Sequence, residues 1–232
     1  MVRFRVFSPE HWLILSGIAI ATAGVILGAP RLRERGRLEA AERAVAIVAL
    51  VLWVVNEVRA FLPGRFDPAE SWPLHICVWA ALAAPLALVV RRRILYALVY
   101  FWGIALSLQA LLTPVFAPNT SALDFWLFWF RHGVILAVAL YLVTVRGWQP
   151  EWRDWGIAAA AGIGYLAIVL PIDVAFGVNY GYVGNAAPAE PTLIDFLGPW
   201  PARVLVMMAL GAVLMALLML PFLRARRAER AP

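Results

Sequence analysis

Two residues of the chain have the chemistry of a covalent acyl-transfer pair: the single cysteine, Cys77, and a histidine in a later apolar segment, His132. A thiolate is a strong nucleophile, but a free cysteine is only a few per cent ionised at neutral pH. A neighbouring imidazole takes the thiol proton and later returns it to a leaving group. The pair therefore predicts nucleophilic catalysis, with Cys77 as the nucleophile and His132 as the general base and acid.

A second histidine, His75, lies two residues before Cys77 in the stretch SWPLHICVWA. On a helix, residues at this spacing point about 200° apart, so the two side chains are not expected to pair if that turn is helical. If the helix begins only after Pro73, His75 lies near its first turn. A position close to the start of a helix also favours the thiolate of Cys77 through the helix dipole.

Each of these residues also has a structural interpretation. A lone cysteine in a membrane helix commonly acts as a small packing residue. His132 has the alternative role of a helix–helix hydrogen-bonding residue, and His11 is expected to be structural. The spacings of zinc ligands are absent, so neither a metal nor a cofactor is expected.

The elements that must position these groups are membrane helices. The chain has 232 residues, is 63% hydrophobic and has a mean hydropathy of +0.80, whereas soluble domains are about half apolar. Its apolar residues are concentrated in segments near the ~20 residues that cross a bilayer. This pattern predicts an all-α fold, a single seven-helix transmembrane domain over residues 1–232, with segments at 11–29, 41–62, 72–90, 94–112, 122–145, 155–173 and 199–223.

The net charge of +6 does not indicate nucleic-acid binding, because the arginines flank the apolar segments, where they meet lipid head groups. Most of them fall in the first, third and fifth connections and in the C-terminal tail. The positive-inside rule then predicts an external N-terminus and a cytoplasmic C-terminus. We expect a multi-pass protein of a bacterial cytoplasmic membrane.

Polar side chains within the predicted segments sort to the external half of the membrane, and the inner half is expected to be nearly free of them. The members of this set are Asn56, Glu57, His75, Cys77, Gln109, Arg131, His132, Asp173 and Arg203. Because such groups are costly in lipid and face a cavity or one another, they predict one polar cavity that opens outward. The 174–198 connection is expected to roof it and to supply Asn179 and Tyr180. Asn56, Gln109 or Arg131 would stabilise an oxyanion there, with His75, Glu57, Asn179 and Tyr180 as further supporting groups.

Four motifs in order, PLHICVWAALAAPLAL, YFWGIALSLQALLTP, FWLFWFRHG and NYGYVGNAAPAEPTLIDFLGPWP, resemble the YwaF-type family of bacterial integral membrane proteins over most of residues 40–222. The resemblance implies a relation to animal Cys-dependent membrane phospholipid acyltransferases that act on ether lipids. It implies Cys77 and His132 as the catalytic pair and places His75 on the same H-x-C element. The arrangement is more distantly similar to membrane lipid hydrolases that use a threonine and a histidine, so hydrolysis is a related alternative.

The leading hypothesis is a membrane acyltransferase or transacylase whose partners are phospholipids or lysophospholipids of the surrounding membrane. An external site suits lipid-to-lipid transfer that does not use coenzyme A. Two alternatives use the same polar residues: a small-solute transporter and a lipid-binding protein without turnover. A transporter needs access from both sides, which an apolar inner half does not offer.

Overall fold

The computed structural model describes residues 4–116, 120–186 and 193–223, and this part of the chain is helical and without strands. The α-helices are α1 (Pro9–Glu34), α2 (Leu38–Ala60), α3 (Ile76–Val90), α4 (Arg93–Phe101), α5 (Leu108–Leu112), α6 (Ala122–Thr144), α7 (Trp152–Phe176) and α8 (Ala202–Leu217). Three short elements accompany them: a π-helical turn at Trp102–Leu106 and 3₁₀ turns at Tyr180–Tyr182 and Leu193–Leu197. Residues 187–192 of the predicted roof and the arginines of the C-terminal tail lie outside the described residues.

Four helices of the described part are long and apolar enough to cross a bilayer: Pro9–Glu34, Ala122–Thr144, Trp152–Phe176 and Ala202–Leu223. Helices also occupy the other three predicted segments, but they fit a full crossing less well. The second, α2, carries charged residues near both ends, and α3 has only 15 residues, fewer than the ~20 that span the hydrocarbon. The fold is therefore that of a helical membrane protein, while the count of seven spans stays a prediction.

Two predicted segments differ from the helices that form. The third, predicted over 72–90, begins as a helix only at Ile76, because His75 has extended backbone (φ −69°, ψ 138°) and acts as the N-cap. The fourth, predicted over 94–112, is interrupted by the π-helical turn, in which the amide of Ser107 donates to the carbonyl of Trp102 at 2.9 Å. Gly103 lies in that turn because a Cβ there would lie 2.6 Å from the side chain of Ile135.

The centre of the bundle is α3, which packs against α2, α4 and α6. Its buried face is rich in alanine, and Ala80, Ala84 and Ala87 are fully buried. Small residues let helix backbones approach closely, which is how helices associate inside a membrane. This packing places the first turn of α3, and with it Cys77, beside α6.

The helix ends define two poles of the bundle. At the first, called here the Cys77 end, α2 and α7 finish and α1, α3 and α6 begin. At the opposite pole, the Glu42 end, α2 begins and α1, α3 and α6 finish. Long-range hydrogen bonds agree with these groupings. His11 of α1 is bonded to the carbonyl of Leu111 at the Cys77 end, and Arg33 donates to the carbonyl of Val145 at the Glu42 end.

Candidate active site

Cys77 is the second residue of α3 and is a free, partly exposed thiol. The N-cap residue His75 makes no side-chain capping hydrogen bond, so amides of the first turn are not satisfied by the cap. The main-chain amides of Cys77 and Val78 act on the thiol. The cysteine therefore lies in the first turn of a helix, where main-chain amides act on a thiol that is largely withdrawn from solvent.

His132 lies at the end of the third turn of α6 and is 2% exposed. Its Nδ1 is 2.9 Å from the carbonyl of Phe128. A carbonyl only accepts, so Nδ1 carries the proton and Nε2 carries the lone pair. Nε2 is buried and has no hydrogen-bond partner in the described part of the chain. This nitrogen is therefore an acceptor that no described residue uses.

Cys77 and His132 come from helices in direct contact, but no hydrogen bond joins them. Both are acted on electrostatically by the same guanidinium, that of Arg131. No sulfur atom of the described residues lies within hydrogen-bond distance of Nε2 of His132. The two residues therefore lie near the same guanidinium and are not hydrogen-bonded to each other.

Arg131 belongs to a polar cluster that links α2 to α6. Its guanidinium is 3.7 Å from a carboxylate oxygen of Glu57, and the amide of Asn56 donates to that same oxygen at 3.0 Å. The side chains of Arg131 and Glu57 are 19% and 13% exposed. Glu57 also acts on the Cys77 thiol, with the opposite sign to Arg131. A hydrogen bond and an ion pair therefore bring together Asn56, Glu57 and Arg131, and the charges of Glu57 and Arg131 act on Cys77.

His75 holds the roof of the site. Its Nδ1 accepts from the amide of Gly181 at 3.3 Å, and its Nε2 faces a carboxylate oxygen of Glu70 at 3.7 Å. The ring packs against that of Tyr180 with centroids 5.0 Å apart. Nδ1 of His75 therefore accepts a hydrogen bond from the roof. Nε2 of His132, in contrast, has no hydrogen-bond partner among the described residues.

The connection after α7 folds over the start of α3, as expected of an ordered roof. Tyr180 is fully buried; its hydroxyl donates to the carbonyl of Pro68 at 2.7 Å and accepts from the amide of Trp72 at 3.0 Å. Burial raises the pKa of Tyr180 to about 12, so the phenol stays protonated and keeps its donor role. Asp173 accepts from the amide of Tyr180 at 3.0 Å.

Two further residues fasten this roof. Asn179 donates to the carbonyl of Ala186 at 2.7 Å, and Arg203 donates to the carbonyl of Gly184. A Cβ at Gly184 would lie 2.1 Å from the carbonyl oxygen of Val178, so glycine is required there. The side-chain hydrogen bonds of Asn179 and Tyr180 are with the main chain of the roof and of the α2–α3 connection.

Gln109 lies apart from this group in its hydrogen bonding. It is the second residue of the short helix α5, and its main-chain carbonyl accepts from the amide of Thr113 at 2.8 Å. No hydrogen bond connects it to Cys77 or Arg131 within the described residues.

These residues pack against one another rather than around the outward-opening polar cavity that the sequence predicts. The space that Asn56 and Arg131 border, between α2, α3 and α6, is about 20 Å³, room for about one water molecule. A much larger groove of about 950 Å³ lies elsewhere, between α1, α2 and α6, and its lining is almost wholly apolar. Ion pairs and hydrogen bonds satisfy part of the polar cluster, while buried ring and guanidinium nitrogens of His132 and Arg131 have no hydrogen-bond partner in the described residues.

The pole opposite the Cys77 end, where the sequence predicts few polar groups, contains buried carboxylates. Glu42, near the start of α2, is 5% exposed and binds Arg91, Arg146 and the hydroxyl of Tyr141. These charges lie where α2, α3 and α6 meet connecting segments. The sequence alone therefore places them beside lipid head groups.

A second buried carboxylate lies at the same pole. Asp154 is fully buried and takes two hydrogen bonds of 2.7 Å from the guanidinium of Arg93. It also closes a capping box with Glu151 at the start of α7. The Glu42 end is therefore tied by bidentate arginine–carboxylate pairs, which are the strong form of such contacts.

Sequence reasoning missed two side chains near the thiol. The hydroxyl of Tyr165, in α7, donates to the carbonyl of Leu74 at 2.6 Å and interacts electrostatically with Cys77. The indole of Trp53, in α2, donates to the carbonyl of Val78 at 3.0 Å. Tyr165 is a polar group within an apolar segment, so the argument that selected the other site residues applies to it too.

The amino-acid sequence is similar to a bacterial protein, described as "Uncharacterized protein", from Treponema pallidum (strain Nichols). The two are 27% identical over 226 residues, which cover 93% of this chain and 89% of the relative. No solved structure matches the chain. A family model does match, over residues 6–219, and it is consistent with the expected relation to animal membrane proteins, although it does not identify the YwaF-type branch. On this match, which spans the whole candidate site, the chain belongs to the TMEM164 family.

Proposed function

We propose that this chain is a membrane-embedded acyltransferase or transacylase of glycerophospholipids. The observation that carries the proposal is the unpaired, buried Nε2 of His132. It is presented by α6, the helix that packs against the first turn of α3, where Cys77 lies. A lone acceptor held in this way beside a helix-terminal thiol serves proton transfer better than it serves packing.

In the first half-reaction, Nε2 of His132 takes the proton of the Cys77 thiol. The thiolate attacks the ester carbonyl of a phospholipid, and a carbon–sulfur bond forms. The tetrahedral intermediate collapses with cleavage of the carbon–oxygen ester bond. The imidazolium of His132 returns the proton to the leaving oxygen, which releases a lysophospholipid and leaves a thioester on Cys77.

In the second half-reaction, the hydroxyl of a different lysophospholipid attacks the thioester. His132 takes the hydroxyl proton, a new carbon–oxygen ester bond forms, and the carbon–sulfur bond breaks. The proton then passes from His132 to the sulfur, so the thiol is restored. Water in place of the lysophospholipid gives the hydrolase variant of the same sequence.

The developing oxyanion has two sources of stabilisation in this arrangement. The first-turn amides of α3 point toward the start of the helix and favour negative charge there. The guanidinium of Arg131 supplies a full positive charge, oriented by its contact with Glu57. Asn56 holds that carboxylate in turn. Arg131 is the only member of the cluster that supplies a cation to the thiol among the described residues.

We further propose a seven-span arrangement in a bacterial cytoplasmic membrane, with the Cys77 end external. The distribution of arginines supports this orientation. A site at the external end is remote from soluble acyl thioesters of the cytoplasm. The acyl donor is then a neighbouring phospholipid, and the reaction needs no coenzyme A.

The test is intact-mass measurement of purified protein incubated with a phospholipid of defined chains. The proposal predicts an adduct of one acyl group on the wild type and none on Cys77→Ala. Addition of a lysophospholipid should discharge the adduct and yield a phospholipid with the transferred chain. Absence of the adduct with full binding of lipid would instead identify a non-catalytic lipid-binding protein.

The transporter alternative has less support. The Glu42 end is closed by the carboxylates of Glu42 and Asp154, each bound to arginine. Saturable solute uptake into liposomes without lipid remodelling would favour that alternative.

A further inference from the structure

A groove lies between α1, α2 and α6. It has a volume of about 950 Å³, within the ~300–1,000 Å³ of ligand-binding pockets. Its walls are apolar, and three glycines of α1, Gly17, Gly24 and Gly28, line it. A Cβ built on any of these glycines meets no atom within 4 Å. The protein therefore leaves this space unfilled by its own side chains.

The groove is long enough to hold an extended acyl chain. Along α6 it runs from Trp126 to Tyr141, about 22 Å at 1.5 Å per residue. Trp126 is 57% exposed, as expected of an aromatic anchor at the head-group level. The other end reaches Glu42 and Tyr141, where the buried ion pairs close it.

Charge at the open end favours a phosphate. The carboxylate of Asp124, in the first turn of α6, is contacted by two guanidinium groups, those of Arg59 and Arg65. One carboxylate and two guanidiniums leave a net positive charge two residues before Trp126. All three side chains are partly exposed, at 25–38%, so a phosphate group can approach them.

The groove adjoins the small space beside the candidate site, and two side chains lie between them. Phe130 and Val134 line both the groove and the small space that Asn56 and Arg131 border. Ala81 lines that small space as well, and it lies one helical turn after Cys77 on the same face of α3. Displacement of Phe130 and Val134 would join the bilayer to the region beneath the thiol.

We infer that the groove holds an acyl chain of a bilayer glycerophospholipid, and that the ester carbonyl of this chain reaches Cys77 laterally between α2 and α6, past Phe130 and Val134. The inference rests on the proposed function for its second part only. The first part, lipid occupancy of the groove, does not depend on the proposed function. The phospholipid phosphate lies at Arg59 and Arg65, and its chain extends toward Tyr141.

Occupancy is tested in the Cys77→Ala background, where no turnover occurs. A Cβ at Gly24 meets no atom within 4 Å, so Gly24→Leu is chosen to place its side chain in the groove. Ala23→Leu is the matched control, because Ala23 is exposed on the same helix and lies outside the groove lining. Native mass spectrometry after incubation with 1-palmitoyl-2-oleoyl phosphatidylglycerol should show at least tenfold less bound lipid for Gly24→Leu and no change for Ala23→Leu. Equal lipid binding by both variants, or a protein dimer that Gly24→Leu alone disrupts, would overturn the inference.

The lateral route is tested with Phe130→Trp and two acyl donors. The ratio of Cys77 acylation by the long-chain phospholipid to acylation by p-nitrophenyl acetate should fall at least tenfold, because the small ester does not need the groove. A loss of the same size with both donors would overturn the route. If neither donor acylates wild-type Cys77, the proposed function fails, and the native mass measurement still decides whether lipid occupies the groove.

Discussion

His132 donates its Nδ1 proton to the carbonyl of Phe128, one turn earlier on the same helix, at 2.9 Å. This single bond fixes the ring orientation and the tautomer together. It directs the basic nitrogen away from its own helix backbone and leaves it unpaired in a buried position. The rings of the two residues also pack closely, with centroids 4.3 Å apart, which restricts rotation of the imidazole.

Replacement of His132 by glutamine should lower the rate of Cys77 acylation by about 10²–10⁴, the usual contribution of a general base. Single-turnover measurement of the acyl adduct by mass spectrometry gives the rate. A rate within threefold of the wild type would remove His132 from the mechanism.

His11 provides the contrasting histidine. Both of its ring nitrogens are bonded, to the amide of Phe7 at 2.9 Å and to the carbonyl of Leu111 at 2.8 Å. His11→Ala should reduce the free energy of unfolding by about 1–3 kcal/mol, because buried partners lose their hydrogen bonds. Acylation per folded molecule should be unchanged. A selective loss of acylation without loss of stability would contradict this structural role.

Arg131 and Glu57 allow a double-mutant cycle. Arg131→Gln should slow acylation and destabilise the fold, because it leaves Glu57 unpaired at 13% exposure. Adding Glu57→Gln should recover stability, with a coupling energy of about 0.5–3 kcal/mol, but not the acylation rate. Stability is measured by denaturant titration in detergent. Recovery of the rate together with stability would mean that Arg131 acts only through folding.

Glu42→Gln should destabilise the protein by about 3–5 kcal/mol, because removal of one member of a buried ion pair leaves the other charges uncompensated. Glu39→Gln is a matched control at the same pole. Glu39 is 60% exposed and binds the same Arg91, so its loss should cost at most about 1 kcal/mol. Equal effects of the two substitutions would contradict a special role for the buried carboxylate.

Tyr180→Phe tests the roof. The substitution removes the contacts of the hydroxyl with Pro68 and Trp72 and should cost about 1–3 kcal/mol. Hydrogen exchange should rise in the connection between α2 and α3, residues 67–75. Unchanged exchange there would show that the roof is held by other contacts.

The helical class and most of the polar cluster were predictable because both depend on local composition. An ionisable residue in an apolar segment must find a partner, and Glu57, Arg131 and Asn56 did so across α2 and α6. The break of the fourth segment at the π-helical turn was not predictable, since it depends on the contact of Gly103 with Ile135. The burial of Glu42 depends likewise on arginines distant in the chain. The seven-span count, the orientation and the roles of the site residues stay predictions.

The ion pairs of Glu42 have a mechanical consequence. They join α2 to the segment after α6 through Arg146 at one pole, while at the other pole α2 and α6 are linked by the pairs of Asp124 and Glu57, whose side chains are 13–27% exposed. Two nitrogens of one guanidinium hold Glu42, whereas the Arg59–Asp124 and Arg131–Glu57 pairs are single contacts of 3.3 Å and 3.7 Å. The two ends of the α2–α6 contact are therefore held unequally, and we expect the Cys77 end to part first when a lipid tail enters.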